Sequence, residues 1–428
     1  MILASNNAHK LDEFRAIFAD MGIEIVPQSA AGCDFEVDET GETFEENAYL
    51  KISTPRVEIV YEDEHLLVVN HLKKYFPIKK ALHEKDSVYL KAVDDVSLTL
   101  DAGKTVGIVG ESGCGKSTLG RTILRLYEPT AGEIIFDGDH IENLKGEALR
   151  RKRPEFQMIF QDPYSSLSPR MTVGEIVSEA VRQHKIVPKT ELRSYVLDMM
   201  EKCGLQAHHY DRYPHEFSGG QRQRICIVKA LALKPKLVIC DEPVSALDVS
   251  IQAQVINLLK DLQEKHGQAY IFISHDLSVV EHISDEVGVM YLGSMVEYGS
   301  KADLFAQPLH PYTRALFSAV PIPDPDVKLN RIHLGGDIPS PANPPAGCKF
   351  HTRCPECRDI CKQVSPIMRD MGGGHCVACH LYDGVTHLDP PAPGTVFAGG
   401  GNQSADSRQA PETQDPLPGK PDGADSAR

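Results

Sequence analysis

No apolar run in this 428-residue sequence approaches the roughly 18 residues that a membrane-spanning helix needs. The opening stretch, MILASNNAHKLDEF, lacks the basic start and apolar core of a secretory signal. Both absences lead to the expectation of a cytoplasmic protein. Positive charge is in short supply: 45 Lys and Arg face 60 Asp and Glu, a formal charge of −15. That balance argues against nucleic acid or anionic lipid as the main partner, although a local basic patch remains open. No internal repeat is visible. Eleven cysteines in a reducing compartment do not make a disulfide framework, yet six of them fall between Cys348 and Cys379. With 41% hydrophobic residues, the chain has enough apolar material for two or three ordinary cores.

Composition shifts divide the chain into five stretches. Residues 1–52 end in acidic FEVDETGETFEENAYLKI, and Ser53, Thr54 and Pro55 interrupt the pattern, so 53–65 reads as a linker. Over 66–321, strand-like runs (TVGIVG, KLVIC, YIFIS) alternate with helical segments such as IQAQVINLLKDLQEKHG, the pattern of an α/β domain with a largely parallel sheet. Cysteine-rich sequence occupies 322–386. The Gly-, Pro-, Ser- and Asp-rich remainder, 387–428, reads as a disordered tail.

Gly110, Glu111, Ser112, Gly113, Cys114, Gly115, Lys116, Ser117 and Thr118 fit G-x-x-x-x-G-K-[ST] between a strand and a helix. Glycines there let backbone N–H groups converge on phosphates, Lys116 reaches the β and γ phosphates, and the Ser117 hydroxyl suits Mg²⁺. In KLVICDEP an apolar strand ends in two carboxylates. Asp241 suits the Mg²⁺ shell, and Glu242 suits the base that polarises an attacking water. A second phosphate-binding turn, HEFSGGQRQR, then appears about a hundred residues downstream of the first, although the chain has a single GKST.

Gln161 in MIFQDPYSSLSPRMTVGE, Ser218 to Gln221 in FSGGQ, Asp248 in SALD and His275 in FISHD follow in ATP-binding-cassette order. The region from about Leu66 to Leu381 resembles the ATPase subunit of oligopeptide and dipeptide ABC importers. RYPHEFSGGQRQR and LHPYTRALFSAVPIPDP are similar to the second, F-type, of the two paralogous ATPases of those systems. The resemblance implies a P-loop ABC nucleotide-binding domain with a helical subdomain at about 161–220 and a small cysteine-rich C-terminal extension. It accounts for the second turn: Ser218, Gly219, Gly220 and Gln221 would complete the site of a partner ATPase, offering donors to its γ phosphate at a helix N-terminus. Asp248 would lie at the dimer seam, Gln161 would sense Mg²⁺ and the γ phosphate, and His275 would contact the γ phosphate. Tyr75 in LKKYFPIKK stands where the family stacks an aromatic ring on adenine, with Phe76 a competing candidate. One departure is Val228, Lys229, Ala230 where Ala-Arg-Ala is common; lysine lacks the bidentate fork of arginine, so a helix-stabilising pair is expected to weaken without abolishing hydrolysis.

The implied assembly is a heterodimer with the paralogous ATPase on two permease subunits, fed by an extracytoplasmic peptide-binding protein, with this chain peripheral on the cytoplasmic face of the inner membrane. ATP and Mg²⁺ are the implied cofactors. The runner-up, a soluble ABC ATPase acting on ribosomes or DNA, usually carries two cassettes in one chain. The segment between Gln161 and Ser218 is too short for the coiled coil of DNA-repair and chromosome-organising relatives.

The N-terminus resembles the opening of the non-canonical purine nucleoside triphosphate pyrophosphatases, which implies phosphate contacts from Ser5, Asn7 and Lys10 and a Mg²⁺ ligand in Glu46. Since the later catalytic segments are missing before the cassette begins, this stretch is expected to be an inactive remnant. VEIVYEDEHLLVVN echoes a pseudouridine synthase start, but its LLVV serves as the cassette's first strand. For the clustered cysteines, residue type admits zinc or an iron–sulfur cluster, since both accept four thiolates. The family pattern GC-x-FHTRCP…C…ACH implies a [4Fe-4S] cluster on Cys348, Cys354, Cys361 and Cys379, with Cys357 and Cys376 as extras, remote from the ATP phosphates.

Overall fold

The strand runs of this sequence show little polar alternation because both of their faces are covered. The computed structural model describes residues 2–3, 26–27, 65–78, 88–245, 247–319, 331–385 and 387–388. Ser5, Asn7, Lys10, Glu46, most of the linker and the tail beyond 388 lie outside them.

Ile2–Leu3 (β1) pairs in parallel with Val26–Pro27 (β2). An antiparallel sheet follows in the order β4-β3-β6-β7, formed by Leu67–Pro77 (β3), Tyr89–Leu100 (β4), Ala131–Phe136 (β6) and Asp139–His140 (β7). The LLVV run is therefore the cassette's first strand. The larger sheet has eight strands in the order β13-β14-β12-β11-β5-β10-β9-β8. They are Thr105–Val109 (β5), Phe156–Ile159 (β8), Leu237–Asp241 (β9), Ala269–Ile273 (β10), Glu286–Tyr291 (β11), Ser294–Ser300 (β12), Arg369–Asp370 (β13) and Cys376–Val377 (β14). From β11 through β8 every neighbouring pair is parallel. The remaining three pairs are antiparallel, so residues of the cysteine-rich segment extend the main sheet rather than hang from it.

Period-two alternation assigns each strand residue to one of two cores. In β10, Ile271 and Ile273 join β5 residues Val106 and Ile108 in the layer against the antiparallel sheet. Tyr270 and Phe272 point the other way, into the layer filled by the helices. Those helices include Val173–Gln183 (α2), Leu192–Lys202 (α3), Gly219–Leu231 (α4), Val249–His266 (α5), Leu277–Ile283 (α6) and Pro311–Ser318 (α7), whereas Lys116–Ile123 (α1) packs Leu119 and Ile123 into the layer between the two sheets. The start of α2 is written locally: Thr172 Oγ1 accepts from the Glu175 amide at 3.3 Å and the Glu175 carboxylate accepts from the Thr172 amide at 2.8 Å. Its buried face, Val173, Ile176, Val177 and Val181, recurs at helical spacing. Among the described residues no helix is long and apolar enough to cross a membrane.

Ile271 is fully enclosed between the two sheets. Ile271→Ala is expected to lower unfolding free energy by about 2–5 kcal/mol in a urea titration followed by circular dichroism, the usual cost of a large-to-small change in a core that cannot collapse.

Candidate nucleotide site

The parallel register brings the chemistry to one edge. Ile273 of β10 lies opposite both Ile108 of β5 and Asp241 of β9, so the chain leaves all three strands at the same level. At β5 it turns into the phosphate loop, with Gly110, Gly113 and Gly115 at φ of 149°, 79° and 108°. A Cβ at Gly110 would strike the Met290 carbonyl, and one at Gly115 the Ala92 carbonyl, so two positions of the motif are fixed by contact as well as by dihedral. Lys116 is buried, its ammonium donating to the carbonyls of Gly110 at 2.7 Å and Glu111 at 3.1 Å.

Ser117, at the start of α1, donates its hydroxyl to Asp241 Oδ1 at 2.6 Å, and Arg121 one turn on approaches Oδ2 at 3.5 Å. Asp241 has no exposed surface, and burial raises its pKa against the opposing pull of Ser117 and Arg121. Glu242 occupies left-handed backbone at φ 47°, an uncommon conformation for a residue with a side chain, and its amide donates to the Ile273 carbonyl at 3.0 Å. This turn aims the carboxylate between two side chains from different strands. Gln161 Nε2 donates to one oxygen at 2.7 Å, and His275 Nδ1 lies 3.4 Å from the other, with the His275 side chain 59% exposed. Gln161, Asp241, Glu242 and His275 thus meet at one edge, joined to the loop through Ser117. Such a set can bind phosphate, present oxygen ligands to a hard cation and orient a water molecule.

The Ser218–Gln221 turn is built differently. Ser218 caps the 13-residue α4, its hydroxyl accepting from the Gln221 amide at 3.4 Å while Gln221 Oε1 accepts from the Ser218 amide at 3.1 Å. Gly220 leaves no room for a side chain beside Ile251. Among the described residues no hydrogen bond joins Ser218–Gln221 to the phosphate loop. Asp248 precedes α5, next to Val249, which is 81% exposed. Lys229 takes its own partner, donating to the Ser166 carbonyl at 3.0 Å.

Tyr75 pairs in register with Lys91, and the next residue on β4, Ala92, packs on Gly115. The Tyr75 hydroxyl donates to Asp94, and burial and that carboxylate raise its pKa. Phe76 packs edge-on against Tyr127.

Sequence reasoning missed the partners behind the loop. The Glu111 amide donates to the Tyr312 hydroxyl at 2.8 Å, and the Glu111 carboxylate receives both arms of Arg353, at 2.8 and 3.0 Å. The cysteine-rich region therefore reaches the phosphate loop through Arg353, which precedes Cys354 directly. The signal was the arginine inside FHTRCP, read only for its cysteine.

Among the described cysteines none is paired in a disulfide. Burial pushes the thiols of Cys348 and Cys354 up to about 11 and that of Cys379 up to about 12, with the Cys348, Cys354 and Cys361 sulfurs adding to the shift at Cys379. Burial likewise pushes the Cys376 thiol up to about 12, with Asp370 and Glu286 adding to the shift. Among the described residues no three His, Cys, Asp or Glu side chains converge closely enough to hold a metal ion.

A phosphate loop on a parallel sheet, a strand ending in two carboxylates and a capped Ser-Gly-Gly-Gln helix define an ABC-type ATPase. Residues 93–245 match the ABC transporter family, and residues 296–361 match the C-terminal region of oligopeptide/dipeptide transporters. The oligopeptide transport ATP-binding protein AppF of Bacillus subtilis (strain 168) is 55% identical over 322 residues, 74% of this chain and 98% of that protein. A putative peptide import ATP-binding protein of Brucella ovis is 52% identical over 314 residues, 73% of this chain and 97% of that one. Among solved structures, cbiO1 of Clostridium perfringens, part of the ABC transporter complex cbiONQ, is 28% identical with a TM-score of 0.50, covering 57% of this chain and 92% of that one. The chain belongs to the family of ABC transporter ATP-binding proteins that these relatives represent. Residues 1–101 match the Ham1 family, in keeping with the pyrophosphatase-like opening. That match runs past residue 52 into β3 and β4, which the structure places in the cassette's antiparallel sheet.

Because burial raises the Asp241 pKa, the folded chain holds that proton more tightly than the unfolded chain. The stabilisation is present at low pH and lost as pH rises through the folded value. Asp241→Asn is therefore expected to melt higher than the parent near neutral pH without nucleotide, the gap closing toward about pH 4. Scanning calorimetry across that range measures it; a lower melting temperature for the variant at neutral pH contradicts the electrostatic reading.

Proposed function

We propose that this chain is the ATP-hydrolysing subunit that powers peptide import through a partner permease, working as half of a two-ATPase sandwich. The observation that carries the catalytic assignment is the meeting of Gln161, Glu242 and His275 beside a phosphate loop already joined to Asp241 through Ser117. In this reading Lys116, with the loop amides of Gly110, Ser112, Gly113, Cys114, Gly115, Ser117 and Thr118, cradles the phosphates. Ser117, Asp241 and Gln161 supply oxygen ligands for Mg²⁺, which usually keeps one or two carboxylates together with substrate phosphates. When bound, the ion offsets phosphate charge. Glu242 polarises the attacking water, and His275 and Gln161 hold its carboxylate in line. Tyr75 would stack on the adenine. Ser218–Gln221 serve the partner's nucleotide, which accounts for a capped helix N-terminus with no bond to this chain's own loop. Asp248 and the bare Val249 belong to the seam.

The groove between β8 and α4, lined by Leu126, Phe156, Met158, Phe160, Arg153 and Lys229, suits an amphipathic helix of the permease. Phe160, directly before Gln161, would carry its position to the site. The chain would then be peripheral on the cytoplasmic face of the membrane, beside a paralogous ATPase, two permease subunits and an extracytoplasmic binding protein. Domain boundaries fall, in this reading, at about 52, 65, 321 and 386. Cys348, Cys354, Cys361 and Cys379 are proposed to hold a [4Fe-4S] cluster. The resemblance of GC-x-FHTRCP…C…ACH to the family pattern is what supports that set, and the cluster would supply covalent anchoring of the extension. Residues 1–52 are proposed to be an inactive remnant.

Glu242→Gln is expected to keep ATP binding while lowering turnover by about 10²–10⁴-fold, the range for a lost general base. ATP binding by fluorescence anisotropy and phosphate release in the membrane-assembled complex measure the two halves. Strong hydrolysis by the isolated monomer, independent of concentration, contradicts the sandwich. Anaerobically purified protein is expected to be brown with about four irons per chain; stoichiometric zinc without iron contradicts the cluster.

A further inference from the structure

Glu111, the second residue of the phosphate loop, is held on three sides. Lys116 donates to its carbonyl at 3.1 Å, Tyr312 of α7 accepts from its amide at 2.8 Å, and Arg353 grips its carboxylate with a parallel pair of hydrogen bonds at 2.8 and 3.0 Å. A bidentate guanidinium–carboxylate pair fixes orientation as well as distance. The Arg353 side chain is only 8% exposed and that of Glu111 23%, so water competes poorly for the bond. Glu111 raises the Arg353 pKa further.

Arg353 is itself anchored. Its amide donates to the Phe350 carbonyl at 2.9 Å, and Phe350 is buried among Tyr291, Tyr312 and His310. From the same short segment Lys349 reaches β4 and the turn between β11 and β12. It donates to Asp94 at 2.8 Å, to the Leu292 carbonyl at 3.0 Å and to Ser294 at 2.7 Å. Asp94 also accepts from Tyr75. One stretch of the C-terminal region thus holds the phosphate loop with one cation and the strand pair carrying Tyr75 with another.

We propose that residues 349–353 form a clamp on the nucleotide site, with Arg353 a positioning residue that sets the affinity for ATP by fixing Glu111 and through it the loop backbone. Arg353 does not touch the reacting atoms. The proposal rests on the reading that residues 110–118 bind ATP. Its consequence is that nucleotide affinity in this chain depends on a region outside the catalytic core, and that any change in the packing of residues 348–354 is felt at the loop.

The test compares the full-length parent with Arg353→Ala, Arg353→Lys, Glu111→Gln and the Arg353→Ala/Glu111→Gln double variant. ATP binding is measured on purified chains, and KM and kcat in the membrane-assembled complex. Arg353→Ala is expected to weaken binding and raise KM by about tenfold, the equivalent of one charge-assisted bond, with kcat changed about twofold or less. Arg353→Lys is expected to recover part of the loss, and the double variant to be no worse than Arg353→Ala alone, because both remove the same interaction. Unchanged binding and KM in Arg353→Ala, an equal fall in kcat, or additive losses in the double variant overturn the proposal. If Arg353→Ala does not fold, Glu111→Gln alone decides: its ATP affinity is expected to fall, and parent-like affinity overturns the clamp. Lys116→Ala separates this from the parent reading, since ATP binding that survives that change refutes the loop as the site.

Discussion

The register of three parallel strands is the constraint on which the site depends. Because Ile273 faces Ile108 on one side and Asp241 on the other, three chain segments leave the sheet at one level. Each then turns into a functional loop: Gly110–Ser117, Asp241–Glu242 and Ser274–His275. Ligands bind at the carboxyl ends of such strands because the loops there converge while the strands stay rigid. A one-residue slip of β9 would move Ile239 from the layer it shares with Ile271 to the opposite face, so the apolar pattern that buries the sheet also protects the geometry of the site.

The second feature is the manner in which the C-terminal region joins this frame. β14 pairs with β12 through Val377 opposite Glu297 and Cys376 opposite Tyr298. Glu297 is fully buried and satisfied from three directions, by the amides of Leu309 and His310 and by His375. A buried carboxylate is tolerated only when its lone pairs are met in this way. The arrangement fixes the start of α7, and α7 carries Tyr312 to the Glu111 amide. Burial drives the His310 pKa down to about 4, so that ring is neutral and its Nδ1 accepts from the Tyr312 amide at 3.0 Å as a cap. Polar satisfaction at the rear of the sheet and loop placement at its edge are therefore one connected problem.

Much of the nucleotide site was legible in the sequence because its parts are local. A phosphate loop needs its glycines and lysine at fixed spacing, a capping box needs Ser218 and Gln221 three residues apart, and both write themselves in consecutive positions. The same holds for the switch from strand to helix after TVGIV and for the acidic end of KLVICD. Resemblance then ordered these parts and named the partner surfaces. What the sequence could not display is pairing across distance. Arg353 and Glu111 are separated by 242 positions, Lys349 and Asp94 by 255. No periodicity links such residues, and an arginine beside a cysteine draws the eye to the cysteine. Only the tertiary structure decided that the cysteine-rich segment continues the main sheet and grips the phosphate loop, because strand pairing and a guanidinium fork are satisfied in space and leave no mark on spacing along the chain.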